Sequence, residues 1–148
     1  MSEITYTSLA LTEEDHKSYE EVLAVFEKRL GVDHLQITVG HGPVEKDTRW
    51  LISRNPADPE QVVASFVEPN FMDVEQKVID AERLSRDIEN LGWLKRLEIM
   101  AKTAEMVEKN KYEIAAILTY EAGKTRSEAL AEVNEVVAMV ENYRQLLE

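Results

Sequence analysis

Gly123-Lys124-Thr125 has the residue types of a phosphate-binding loop, in which backbone N–H groups cradle the phosphates and a lysine neutralises them. Such a loop also needs a glycine five residues before Gly123, and Leu118 stands there. Leu118 falls on a helical apolar stripe, so Gly123 reads as the left-handed stop of one helix and Thr125 as the cap of the next. The histidines are His16, His34 and His41, and none lies three or four residues from another ligand in a metal-binding pattern. His16 has Asp15 beside it and Glu20 one helical turn on, which reads as solvated charge at a helix start. Carboxylates are abundant: Glu13-Glu14-Asp15, Glu20-Glu21, and the set Glu128, Glu132, Glu135 and Glu141. Paired carboxylates do acid–base work only where a pocket drives their pKa values apart. Here they alternate with apolar stripes, the pattern of a wet helix face. No catalytic and no cofactor-binding residue is assigned on these grounds.

The chain has no cysteine, which excludes a disulfide framework, a thiolate zinc site and a sulfur nucleophile. Seventeen basic residues against 29 acidic ones give a formal charge of -12, which disfavours nucleic acid and anionic membrane as partners. Trp50, Trp93, Tyr112, Tyr120 and Tyr143 are therefore read as core and interface anchors, not as base-stacking platforms. The start, Met1-Ser2-Glu3-Ile4-Thr5-Tyr6, lacks the basic and apolar regions of a secretion signal, and no run approaches the ~20 apolar residues that span a bilayer. A soluble, cytoplasmic protein is the expectation.

The elements that would position any site fall into three stretches of a single N-terminal domain or fragment, 1–148. In 1–34, Thr12 can cap a helix whose apolar positions are Tyr19, Val22, Leu23, Phe26 and Leu30, with Gly31 as its stop. In 35–70 the period changes to that of strands: Gln36–Val39, Arg49–Ile52 and Val62–Val67, at least two of them antiparallel, with turn chemistry at Gly40-His41-Gly42-Pro43. Asn55-Pro56-Ala57-Asp58-Pro59 is expected as a rigid connection outside the sheet, because its prolines deny backbone donors. In 71–148 the chain is helical. Val74, Val78, Ala81 and Ile88 mark one stripe; Leu97, Met100, Ala101, Ala104 and Val107 mark another after a break at Asn90-Leu91-Gly92; Ile114, Ile117 and Leu118 mark a third. Thr125-Arg126-Ser127-Glu128 is a capping box for a last helix carrying Ala129, Val133, Val136, Val137, Val140 and Leu147. The fold class predicted is α+β and mostly helical: an N-terminal helix, short antiparallel strands, then a run of amphipathic helices.

Two segments carry a family resemblance: Ser53-Arg54-Asn55-Pro56-Ala57-Asp58-Pro59-Glu60-Gln61-Val62-Val63 and Tyr120-Glu121-Ala122-Gly123-Lys124-Thr125. In that order they resemble the N-terminal portion of an aldehyde dehydrogenase, and within that superfamily the branch that oxidises L-glutamate γ-semialdehyde in proline degradation, the 1-pyrroline-5-carboxylate dehydrogenases. The resemblance runs from Ser53 to Gln145 and is weaker before it. It implies an antiparallel strand pair plus helices that pack on a dinucleotide-binding domain, and an NAD-dependent parent enzyme whose catalytic cysteine, general-base glutamate and pyrophosphate loop all lie beyond this sequence. By the same resemblance, Glu121 with the carbonyls of Ser53 and Arg54 would hold a monovalent cation; the alternative is that Glu121 pairs near a helix end.

The leading expectation is a non-catalytic scaffold and interface segment, or subunit, of such an enzyme, with no cofactor of its own. Its partners would be the remaining domains or a complementary chain, and a homo-oligomer is left open. The alternative, motivated by the charge and the apolar stripes, is a stand-alone acidic helical module that binds a protein partner.

Overall fold

A computed structural model describes residues 10–30 and 49–147. The expected strand at Gln36–Val39, the turn at Gly40–Pro43, the stop at Gly31, and His34 and His41 lie outside the described residues. Helix α1 (Glu13–Glu27) begins where Thr12 predicted it. The Thr12 hydroxyl accepts from the Asp15 N–H at 3.1 Å, and the Asp15 carboxylate accepts from the Thr12 N–H at 2.9 Å, so two N-terminal donors are satisfied reciprocally. Glu13, Glu14 and Asp15 in the first turn also complement the positive end of the helix dipole. Tyr19 and Phe26, one face of the predicted stripe, are buried.

Strands β1 (Trp50–Asn55) and β2 (Asp58–Val67) form an antiparallel hairpin, Trp50 opposite Val67 and Ser53 opposite Ala64. The connection is shorter than expected: Asn55 ends β1 and Pro59 lies inside β2, leaving Pro56-Ala57 as the turn. The physical reason is a shift in register, from Arg54 opposite Val62 to Asn55 opposite Asp58. That irregularity leaves Pro59 with no residue opposite it, so its missing N–H breaks no ladder bond. Side chains tie the turn: the Asn55 Oδ1 accepts from the Ala57 N–H at 2.9 Å, and the Asn55 amide donates to Gln61 Oε1 at 2.8 Å.

Four helices follow: α2 (Phe71–Asn90), α3 (Gly92–Lys109), α4 (Lys111–Ala122) and α5 (Arg126–Leu147). The break predicted at Asn90-Leu91-Gly92 is present, with Gly92 at φ +73° opening α3. Helix α4 is central and packs against α1, α3, α5 and both strands. Its most enclosed residues are Ala115 and Ala116, both fully buried, while the predicted Ile114, Ile117 and Leu118 are only partly so. A helix surrounded on several sides needs small residues where neighbours come closest, and a one-stripe pattern does not reveal that. One core cluster joins Tyr19, Ala115, Ala129, Leu130 and Val133; a second joins Phe26, Val63 and Ala116. In α3, Leu97 and Ala104 are buried on the predicted stripe. Helix α2, although capped by Asn70 and Asp73 in a box of its own, buries no residue, and among the described elements it packs on α3 alone. Its predicted stripe, Val74, Val78, Ala81 and Ile88, is exposed.

Candidate functional site

The two segments singled out in the sequence meet at one corner of the fold. Gly123 closes α4 with φ +69°, and its N–H donates to the Thr119 carbonyl at 3.1 Å. A Cβ placed on Gly123 would stand 3.0 Å from Pro56 Cγ in the hairpin turn, so the absent side chain lets the turn seat on the helix end. Beside it, the Ser53 hydroxyl donates to Glu121 Oε1 at 2.8 Å. The Arg54 guanidinium turns away and donates to the Pro59 carbonyl at 2.9 Å. The structure thus brings Ser53 and Glu121 together and sends the Arg54 side chain elsewhere.

Lys124 pairs with Glu132 on α5, and Thr125 with Glu128 forms the predicted capping box, the carboxylate accepting from the Thr125 N–H at 2.8 Å. These bonds from Thr125 hold the Glu128 carboxyl below its ordinary value. Gly123-Lys124-Thr125 is therefore a helix stop, a cross-turn ion pair and a helix cap. Among the described residues no group of three or more histidine and acidic side chains is arranged to hold a metal ion.

A second polar system, which the sequence did not disclose, runs along the seam between α1 and the α4–α5 pair. Arg126, the first residue of α5, donates to His16 Nδ1 at 2.8 Å and to the Glu20 carboxylate, and its guanidinium lies 4.8 Å from the centre of the Tyr19 ring. A guanidinium has only donors, so His16 Nδ1 is the acceptor. His16 and Glu20 are thereby occupied in fastening α1. The Tyr19 hydroxyl donates to Thr119 Oγ1 at 2.7 Å, Tyr112 to Asp15 at 3.0 Å and Tyr120 to Glu27 at 2.5 Å. Burial first, and the Glu27 carboxylate second, push the Tyr120 phenol up to about 12. Tyr112 is raised for the same two kinds of reason, burial and Asp15. Asp15 is held low, chiefly by the side-chain and backbone bonds from Thr12. These shifted groups are members of helix caps or cross-helix ties. An open groove of about 470 Å³ lies between α1 and the α3–α4 corner, walled by Val22, Val25 and Phe26, with the Arg29–Glu113 ion pair at 3.1 Å on its rim.

An antiparallel strand pair leading into helices is the arrangement the resemblance implied. Residues 44–148 match the model of the aldehyde dehydrogenase family, and the chain belongs to that family. The 1-pyrroline-5-carboxylate dehydrogenase 1 of Halalkalibacterium halodurans is 32% identical to it over 137 residues, which cover 92% of this chain and 26% of that protein. A 1-pyrroline-5-carboxylate dehydrogenase of Staphylococcus aureus is 30% identical over 131 residues, 88% of this chain and 25% of that one. Among solved structures, a mutant of the Thermus thermophilus 1-pyrroline-5-carboxylate dehydrogenase superposes with a TM-score of 0.80 at 26% identity, covering 90% of this chain and 26% of the other. A Thermus 1-pyrroline-5-carboxylate dehydrogenase with bound NAD gives 0.74 at 27% identity, over the same shares of the two chains. The chain spans about a quarter of the length of these relatives.

Proposed function

We propose that this chain is a structural segment of an NAD-dependent aldehyde dehydrogenase that acts on L-glutamate γ-semialdehyde in proline degradation, and that it supplies scaffold and interface surface while other polypeptide supplies the chemistry. The observation that carries this is a pairing of two facts: nearly all of this chain matches about a quarter of proteins named for that activity, and its sequence has no cysteine. A family member oxidises its aldehyde through a covalent intermediate on a cysteine and passes hydride to NAD. Residues 1–148 act in this reading as a single unit, and a cytoplasmic location goes with it. Its partners are the remaining domains or a complementary chain, and homo-oligomers form through the assembled enzyme.

The Ser53–Glu121 corner has a proposed role within this scaffold. An acidic side chain and a hydroxyl 2.8 Å apart, next to the backbone of Ser53 and Arg54, supply the oxygen ligands that a sodium or potassium ion prefers. A thermal melt that rises with potassium or sodium chloride but not with choline chloride, and loses that rise in Glu121→Ala, supports a cation there; equal melts in all three salts refute it.

The overall reading is tested by supplying the purified chain with NAD and the semialdehyde and following absorbance of the reduced coenzyme. No turnover is expected, and turnover by the isolated chain sinks the proposal. The alternative reading, an independent acidic interaction module, draws on the ties that fasten α1 to α4 and α5, which a self-sufficient fold also needs. A monomer in light scattering with a single cooperative melt and no dye-binding surface favours that alternative.

A further inference from the structure

Arg126 joins the start of α5 to α1 through two acceptors of different kinds. One is the Glu20 carboxylate and the other is His16 Nδ1 at 2.8 Å, one helical turn apart on the same face of α1. The His16 contact is the more enclosed of the two, so solvent screens it less. The guanidinium brings only donors, so this contact exists only while Nδ1 is unprotonated and Nε2 carries the ring hydrogen. The Arg126 Nε is buried and makes no hydrogen bond among the described residues, which leaves the grip to the two Nη contacts.

Protonating His16 changes this arrangement in two ways. The ring loses its acceptor at Nδ1 and sets a positive charge against the guanidinium. The imidazolium also becomes a rival for Glu20, the carboxylate that Arg126 uses, because Glu20 stands four residues on in the same helix. Glu13, exposed and one turn before His16, draws a charged ring in the same direction. The other charged groups on the elements that meet here are engaged. Asp15 is bonded to Thr12 and to Tyr112 of α4, with Lys111 near enough to help hold its carboxyl low. Lys17 pairs with Glu21, Glu128 of α5 is bonded to Thr125, and Lys124 pairs with Glu132.

We propose that His16 is a proton-operated latch between α1 and α5: neutral, it holds Arg126 together with Glu20; protonated, it takes Glu20 for itself and releases the guanidinium. The Tyr19–Thr119 and Tyr112–Asp15 bonds keep α1 on α4 in both states, so the change is confined to the hold on the first turn of α5. The closed latch excludes a proton that the open one accepts, so it is complete at high pH and is lost as pH falls through the histidine range.

The test uses the full chain and His16→Asn, whose side-chain oxygen replaces Nδ1 as an acceptor and does not titrate. Amide exchange, expressed as protection factors, is read over the first turns of α5 at about pH 8 and about pH 5.5, which bracket the protonation of a histidine. Protection there is expected to fall about fivefold or more at the lower pH in the unsubstituted chain, and to stay level in His16→Asn. A double-mutant cycle of His16→Ala with Arg126→Gln, scored by urea unfolding, is expected to show coupling at the higher pH that is gone at the lower. Equal protection at both pH values in the unsubstituted chain, a fall of the same size in His16→Asn, or coupling that persists at the lower pH overturns the latch. If a cycle variant does not fold, the exchange comparison decides alone.

Discussion

Substituting Gly123 by alanine tests the contact that joins the two family-like segments. The residue sits at φ +69°, where a Cβ costs roughly 1–2 kcal/mol from backbone crowding alone. The same Cβ would stand 3.0 Å from Pro56 Cγ, a distance at which the pyrrolidine ring or the helix end must shift. Pro56 is fixed to the hairpin turn and cannot swing aside as a long side chain would, so overpacking adds about 1–3 kcal/mol. The expected loss is therefore about 2–5 kcal/mol, a large part of the stability of a domain this size. Two controls separate the contributions. Gly92 has φ +73°, and a Cβ added there would meet nothing within 4 Å, so Gly92→Ala bears the backbone cost only, and less where α2 can reorient. Pro56→Ala removes the Cγ, so Gly123→Ala in that background loses the steric part, and the cycle should show a coupling of about 1 kcal/mol or more. Urea unfolding monitored by circular dichroism gives all four values. Additive effects of the two substitutions, or equal losses at Gly92 and Gly123, refute the claim that the turn is seated on the glycine.

Tyr19 is 2% exposed and hydrogen-bonded to Thr119, so Tyr19→Phe should cost about 1 kcal/mol and Tyr19→Ala about 3–5 kcal/mol by urea unfolding. Val133 is 2% exposed and Val137 only half-buried, so Val133→Asp should lower the melt markedly more than Val137→Asp; the reverse order would displace the α5 core from where it is drawn. Asp15 and Glu128 have folded pKa values below their ordinary ones, so each contributes stability above the ordinary carboxylate range that is lost as pH falls through the folded value. Thr12→Val and Thr125→Val should therefore each flatten the acid limb of the melting-temperature profile. The Tyr120 phenol is raised from its ordinary 10.0 to about 12, so its contribution is complete below about 10 and disappears as pH rises towards 12. Phenolate absorbance should show that late titration, and Glu27→Gln should move it earlier.

The legible part of the fold was the part written in short-range chemistry. Thr12, the Asn90-Leu91-Gly92 break, the Gly123 stop and the Thr125–Glu128 box each act over a few residues, and each is found where the sequence placed it. The misjudged part was β2, because a proline in a strand is tolerated where the register jumps, and a register depends on what pairs opposite. The Arg126 contacts with His16 and Glu20 span more than a hundred positions, and no local pattern marks Arg126 as anything but a helix-start residue. The same holds for the tyrosine–carboxylate ties, which a local pattern reduces to aromatic anchors. The Ser53–Glu121 contact was reachable only through resemblance, since 68 positions separate the two side chains.

The two halves of the helical region differ in what holds them. Helices α1, α4 and α5 share a core around Tyr19, Ala115 and Leu130, and the hairpin is joined to it through Val63 and the Pro56–Gly123 contact. Every side-chain hydrogen bond described from α1 to another element ends on α4 or α5, and the hairpin corner also meets α4, so these pieces stabilise one another. Helix α2 shares none of that core and reaches the rest of the described residues only through α3. Its hydrophobic pattern therefore cannot be explained by the folding of residues 10–30 and 49–147 alone. A capping box and a full amphipathic stripe on a helix so sparsely neighboured among the described residues mark a surface that those residues leave uncovered.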